Sequence, residues 1–154
     1  MTRYEHLEDL RDHVGQTIGV SEWIDIEQAR IDRFADATGD HQWIHVDPAR
    51  AAAGPFGATV AHGFLTLSLL PLMGQQAIQI ADTRMGINYG LDRVRFPAPV
   101  RVGSRLRGHF VLVSFEPLGN PGAPGAQLAM ECTMELEGST RPACVAVTLS
   151  RRHT

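Results

Sequence analysis

A chain of 154 residues, 44% hydrophobic and 20% charged, has the make-up of one folded domain able to bury its own core, and not of a disordered or fibrous chain. Its formal net charge of -3 argues against nucleic acid as the main partner, and no run of about 18 apolar residues offers a membrane span. All 14 basic residues are arginine, which removes a Schiff-base lysine and a P-loop lysine from consideration.

The N-terminal MTRYEHLEDLRDH is too polar and acidic for a signal peptide, so a cytoplasmic location is expected. TIGVSEWIDI, from Thr17, carries β-branched and aromatic residues suited to a short strand. DIEQARIDRFADATG predicts a helix in which Asp25 caps the first turn and Gln28 follows three residues on. Ile26, Ala29, Phe34 and Ala37 supply much of one apolar face. Gly39 is a natural stop, because glycine takes the left-handed conformation that closes a helix, and Asp40 then begins a loop.

Pro48 to Ala53 predicts one short helical turn before the flexible stretch GPFGATVAHG. GFLTLSLLPLMGQQAIQIAD follows, with about four turns of helix apolar on nearly every side at first and weakened at Pro71. GINYGLDRVRF, RLRGHFVLVSFEP, QLAMECTMELEG and ACVAVTLSRR predict consecutive strands, with breaks at PAPVRVG and PLGNPGAPG. This order predicts an α+β layout, an antiparallel β-sheet wrapped around a long central helix. One sheet face leaves such a helix partly bare, so a second copy of the domain is expected to cover it. The two cysteines, Cys132 and Cys144, flank the turn GSTRP on strands that could face each other. They read as buried thiols of a reducing compartment and not as a disulfide framework.

GDHQWIHVDP, residues 39 to 48, is the stretch that raises the question of chemistry. His41 and His45 have the spacing of H-E-x-x-H, but Gln42 stands where the general-base Glu belongs. Gly39 ends the preceding helix and Pro48 disfavours helical geometry at Asp47, so a zinc site is not expected. Two readings remain on spacing alone. Asp40 and His45 can hold one water between them, or the stretch is a polar turn built on an Asp-Pro pair.

The stretch ADATGDHQWIHVDPARAAAGPFGATVAHGFLT resembles the signature of the MaoC-like dehydratases, R-specific enoyl-CoA hydratases with a hot-dog fold. The pattern is supplied by Gly39, Asp40, Ile44, His45 and Asp47, then Phe56-Gly57, then Ala61-His62-Gly63. VRFPAPVRVGSRLR extends the resemblance, which spans about residues 34 to 107. Gln42-Trp43 replaces the family's Asn-Pro, a version found in a NodN-like branch; the bulk of Trp43 should alter the local turn and the acyl pocket.

The resemblance implies one hot-dog domain over 1–154, a homodimer, and reversible hydration of a trans-2-enoyl-CoA to the (R)-3-hydroxyacyl-CoA. Asp40 and His45 are then the catalytic pair sharing one water. Gly63 offers a backbone N–H to the thioester oxygen, and His62 orders the helix entry. His41 stays exposed. Arg93, Arg95, Arg101, Arg105 and Arg107 are the candidates for coenzyme A phosphate contacts, with Arg93 and Arg95 sharing one sheet face and Arg105 and Arg107 another. No metal and no cofactor beyond the coenzyme A of the substrate is expected, nor a membrane or nucleic-acid partner. Two other readings compete: a hot-dog acyl-CoA thioesterase, and a non-catalytic acyl-CoA-binding subunit.

Overall fold

The computed structural model of the chain describes residues 1–119 and 124–154. In chain order it runs β1 (Thr2–Tyr4), a 3-10 helix (Leu7–His13), β2 (Thr17–Val20), β3 (Ile24–Asp25), α1 (Gln28–Thr38), α2 (Trp43–Val46), α3 (Pro48–Ala52), α4 (Gly63–Ser68), α5 (Leu70–Ala77), β4 (Ile78–Ile80), β5 (Met85–Arg95), β6 (Arg105–Pro117), β7 (Gly125–Leu136) and β8 (Cys144–His153).

Period-two alternation builds the sheet. Along β6 the buried residues are Leu106, Gly108, Phe110 and Leu112, with partly exposed residues between them. Successive side chains of a strand point to opposite faces, so one face of β6 is apolar and must be covered. Register places Cys132 of β7 beside Phe110, and Ala146 of β8 beside Cys132, which continues that apolar face across the sheet. The strand order is β2-β6-β7-β8-β5, with β3 also pairing β6, and every pairing in this sheet is antiparallel.

Helices α4 and α5 cover the apolar face with Leu65, Leu69, Leu70, Met73 and Ala77. Met73 is fully enclosed, and a side chain of its size stabilises by roughly 1.5–3 kcal/mol when buried. Gly108 permits this close approach: a Cβ there would stand 3.0 Å from the Phe110 ring and 3.1 Å from the Met73 sulfur. The sheet wrapped on a central helix is the hot-dog architecture expected from the sequence. Among the described residues, no helix is long and apolar enough to cross a membrane.

Several local expectations are corrected. Asp25 does not cap α1; Ile24 and Asp25 pair with Leu106 and Arg105 of β6, so their backbone is committed to the sheet and Glu27 becomes the cap position. Consequently Ile26 lies before the helix, and the buried face of α1 is Ile31 and Ala35, while Ala29 and Ala37 are exposed. The single strand expected from Thr17 is two, β2 and β3. The long helix is shorter at its end, because Ile78–Ile80 pairs in parallel with Thr2–Tyr4.

The weakness expected at Pro71 appears as the division between α4 and α5 at Leu69. Pro71 sits in the first turn of α5, where its missing N–H removes no helical bond. The helix is not enclosed on all sides either, since Phe64 is 72% exposed and Leu72 39%. Cys132 and Cys144 are both buried free thiols on neighbouring strands, two positions out of register, and burial pushes each thiol up to about 11. The break expected at PLGNPGAPG lies in part outside the described residues, over 120–123.

Candidate active site

The site begins where α1 ends. Gly39 has φ +79° and gives its N–H to the Ala35 carbonyl at 2.8 Å, a left-handed closure that side chains with a Cβ resist. The chain turns there and leaves Asp40 in a short loop, as the sequence predicts. Trp43 to Val46 then form one helical turn where the sequence predicts loop, and Asp47 closes it. The Asp47 carboxylate accepts from the Arg50 N–H at 3.0 Å, and Pro48 stands at the first position of α3. Trp43 fits between the Arg50 guanidinium, 4.5 Å from its ring centre, and Gly54, where a Cβ would come within 2.9 Å of the ring. This is how the fold accommodates a large residue at that position.

Contacts from distant sequence fix the turn. The Gln28 amide donates to the His45 carbonyl at 2.8 Å and to Asp32 Oδ1 at 2.8 Å, and its oxygen accepts from the buried Thr59 hydroxyl. Val60 donates its N–H to the Ile44 carbonyl at 3.0 Å, and His45 Nδ1 meets the Val60 carbonyl at 2.6 Å. A carbonyl can only accept, so Nδ1 carries the proton. In the neutral ring, Nε2 then holds a free lone pair.

His62 caps α4 and is 3% exposed. Its Nε2 lies 2.9 Å from the Asp40 carbonyl, so by the same reasoning Nε2 carries the proton. Its ring stacks on His45 with centroids 3.7 Å apart and tilts against Phe34 at 5.0 Å. One ligand-type atom from each of Asp40, His45 and His62 lies within 4.8 Å of the others. One water can bridge such a gap with two hydrogen bonds of about 2.8 Å. The spacing alone also suits a metal ion: His62 Nε2 is occupied by its proton and its carbonyl partner, while its Nδ1 is buried without a partner.

Gly63 opens α4, and its N–H makes no hydrogen bond among the described residues. It borders a cavity of about 280 Å³ walled by Phe56, Thr66 and Phe96, and a Cβ on Gly63 would stand 3.1 Å from the Phe96 ring. A side chain at this position would therefore press on the Phe96 ring. Burial is the largest influence on His45 and holds its pKa below the usual histidine value. The Val60 hydrogen bond opposes this, the neighbouring His62 adds to it, and Asp40 opposes it. His41 is exposed, as expected, and its bond to Asp36 raises its pKa.

Asp40, His45, His62 and Gly63 thus meet in one place. The arginines do not form the single group their sequence suggests, because β7 and β8 lie between β6 and β5. Arg105 pairs with Glu137 at 3.0 Å and Asp25 at 3.5 Å, Arg107 pairs with Glu135 at 2.6 Å, and both lie over Trp23. Arg93 and Arg95 do not simply alternate on one face either. The register with β8 shifts between Asp92 and Arg95, and Arg93 takes φ +50°. Arg101 lies beside the site, bridged to Val60.

Sequence reasoning missed the clamp made by Gln28 and Thr59. Its only sequence signal was a polar residue early in α1, which suits a cap equally well.

A family model described as "MaoC like domain" matches residues 9–121. The chain is 52% identical over 151 residues to 3-hydroxyacyl-thioester dehydratase Z of Mycobacterium tuberculosis, covering 98% of each chain. It is also 52% identical over 142 residues to Nodulation protein N of Rhizobium leguminosarum bv. viciae, covering 91% of this chain and 86% of the relative. Among solved structures, the (R)-hydratase from A. caviae involved in PHA biosynthesis superposes with a TM-score of 0.67 at 25% identity, over 89% of this chain and 94% of that one.

Proposed function

Because this chain belongs to the MaoC-like domain family, we propose that residues 1–154 form one hot-dog hydro-lyase domain that reversibly hydrates a trans-2-enoyl-CoA to the (R)-3-hydroxyacyl-CoA. The names of its relatives, a 3-hydroxyacyl-thioester dehydratase and an (R)-hydratase, agree with this reading. The observation that carries it is the Asp40 carboxylate and the His45 imidazole within 4.8 Å of each other, near a cavity bordered by the unpaired Gly63 N–H.

Chemistry follows from the proton positions. Water sits between Asp40 and His45, with one hydrogen on the Asp40 carboxylate and the other on His45 Nε2. As the water oxygen bonds to the β-carbon, His45 takes its proton and Asp40 balances the charge that forms on the ring. The Gly63 N–H donates to the thioester oxygen while the α-carbon becomes electron-rich. The proton then returns from His45 to the α-carbon on the face from which water came, which makes the addition syn. In this scheme His62 acts by position, holding the Asp40 backbone.

Of the five candidate arginines, Arg93, Arg95 and Arg101 have no acidic partner among the described residues and are the ones left for the coenzyme A phosphates. The scheme calls for no metal and no separate cofactor. A homodimer is part of the proposal: β5 is an edge strand of 11 residues with nearly every residue exposed, and bare edges of this length pair or are covered.

The test is incubation with crotonyl-CoA, following loss of the enoyl absorbance and the configuration of the product. Asp40→Asn and His45→Gln should each lose about 10²–10⁴-fold in turnover with the fold intact. Hydration near the wild-type rate by both variants, or release of free coenzyme A in place of hydration, would sink the reading.

A further inference from the structure

Arg152 is the second arginine of a strand that faces the interior. On β8 it shares the inner face with Ser150, and its register partner on β5 is Gly86. A Cβ at Gly86 would collide with the Arg152 guanidinium, so glycine leaves the room that the side chain occupies. Among the described residues Arg152 has no carboxylate partner, and its Nε is buried without a hydrogen-bond acceptor. Ser150 is 5% exposed, and its hydroxyl is likewise buried and unpartnered. Enclosed polar groups are normally satisfied, and the Arg152 charge, part-buried with its Nε enclosed, gains from a counter-charge.

Both residues line one cavity of about 250 Å³ between the central helix and the sheet. Its helix wall is mainly apolar, with Phe64, Leu67 and Pro71 beside Ser68, while Asn88, Thr148, Ser150 and Arg152 lie on the strand side. Phe64 follows Gly63 in the first turn of α4, so one residue lining this cavity is the chain neighbour of the glycine that borders the 280 Å³ cavity. Arg152, Gly74 and Met130 also line a second cavity of about 370 Å³, so Arg152 borders both. Burial lowers the Arg152 pKa, the mark of a charge lacking compensation.

We infer that this cavity takes the tail of an acyl thioester that ends in a carboxylate, with Arg152 and Ser150 binding that carboxylate. An alkyl chain suits the apolar helix wall. A guanidinium fork and a neighbouring hydroxyl together supply the donors that two carboxylate oxygens need. The inference rests on the hydratase reading for the other end of the substrate, since it assumes that the thioester lies at Gly63.

Two measurements separate the two claims. The first compares kcat/KM for a medium-chain trans-2-enoyl-CoA and its ω-carboxy analogue. The second compares calorimetric binding of the corresponding saturated thioesters, which cannot be hydrated. Wild type should favour the ω-carboxy member of each pair by about 10- to 100-fold. Arg152→Met should bring both ratios to about one, Arg152→Lys should keep part of the preference, and Ser150→Ala should fall between. If Arg152→Met does not fold, the wild-type and Ser150→Ala ratios decide. Hydration without any ω-carboxy preference overturns the tail site and leaves the hydratase reading standing. Preference in the saturated pair with no hydration of either enoyl thioester overturns the hydratase reading and supports the tail site.

Discussion

His45 and His62 stack with ring centroids 3.7 Å apart and planes 23° from parallel, and each gives an N–H to a backbone carbonyl, Val60 for one and Asp40 for the other. Those carbonyls set the tautomers, and the stack makes a positive charge on one ring unwelcome beside the other. The pair therefore keeps a neutral His45 whose free Nε2 can receive a proton.

The first consequence is a pH profile. The folded His45 pKa lies below its unfolded value of about 6.5, mainly through burial. Activity should therefore hold as pH falls through the ordinary histidine range, with the acidic limb of kcat/KM below about pH 6.5. Stability follows with its own sign. Above about pH 6.5 the ring is neutral in both states and contributes no pH dependence. As pH falls below that value, the unfolded chain takes up the proton first and stability is lost until the folded ring also titrates. Thermal melts across this window should show the loss in wild type and a flatter profile in His45→Gln.

Position and charge of His62 can be separated. His62→Phe keeps a flat ring against His45 and Phe34 but loses the N–H that holds the Asp40 carbonyl. Turnover should fall by about 10-fold, as for a lost hydrogen bond of ordinary strength. KM should change less than kcat. Because His62 lowers the His45 pKa, the acidic limb should also move up in the variant. A profile that stays in place would assign His62 to packing alone.

Gln28 lies 17 residues from His45 and 31 from Thr59, yet its amide joins both. Gln28→Ala should cost about 1–3 kcal/mol in urea unfolding, since it leaves buried partners unpaired. It should also reduce kcat by loosening the turn that carries His45. Equal activity with lower stability would show that the clamp serves the fold only.

The bare strand β5 makes the assembly testable. Ile87 is 43% exposed and Tyr89 55% on this edge strand. Ile87→Glu should shift the protein from dimer to monomer in light scattering after size exclusion, since a charge on the edge opposes pairing. A wild-type chain that runs as a monomer at working concentration would refute the dimer.

Much of the candidate site was legible because it is local. Asp40 and His45 are five positions apart, and Gly39 places the loop by its own backbone preference. His62 and Gly63 open a helix whose apolar residues announce it. The sheet was legible for the same kind of reason, since alternation along β6 is a property of neighbours in the chain.

What stayed hidden depends on pairing between distant segments. Arg93, Arg95, Arg105 and Arg107 are close in sequence, but strand order sets two strands between the pairs and supplies Glu135 and Glu137 as partners. Arg152 reads as one more basic residue near the end of the chain until β8 turns it inward, opposite Gly86. By itself the sequence determined the four long strands, the main helical segments, the loop at Asp40, and the chemical types gathered there. Only the tertiary structure decided which charges are neutralised and which have no acidic partner among the described residues, because a charge's partner is chosen by proximity in space, which sheet register creates.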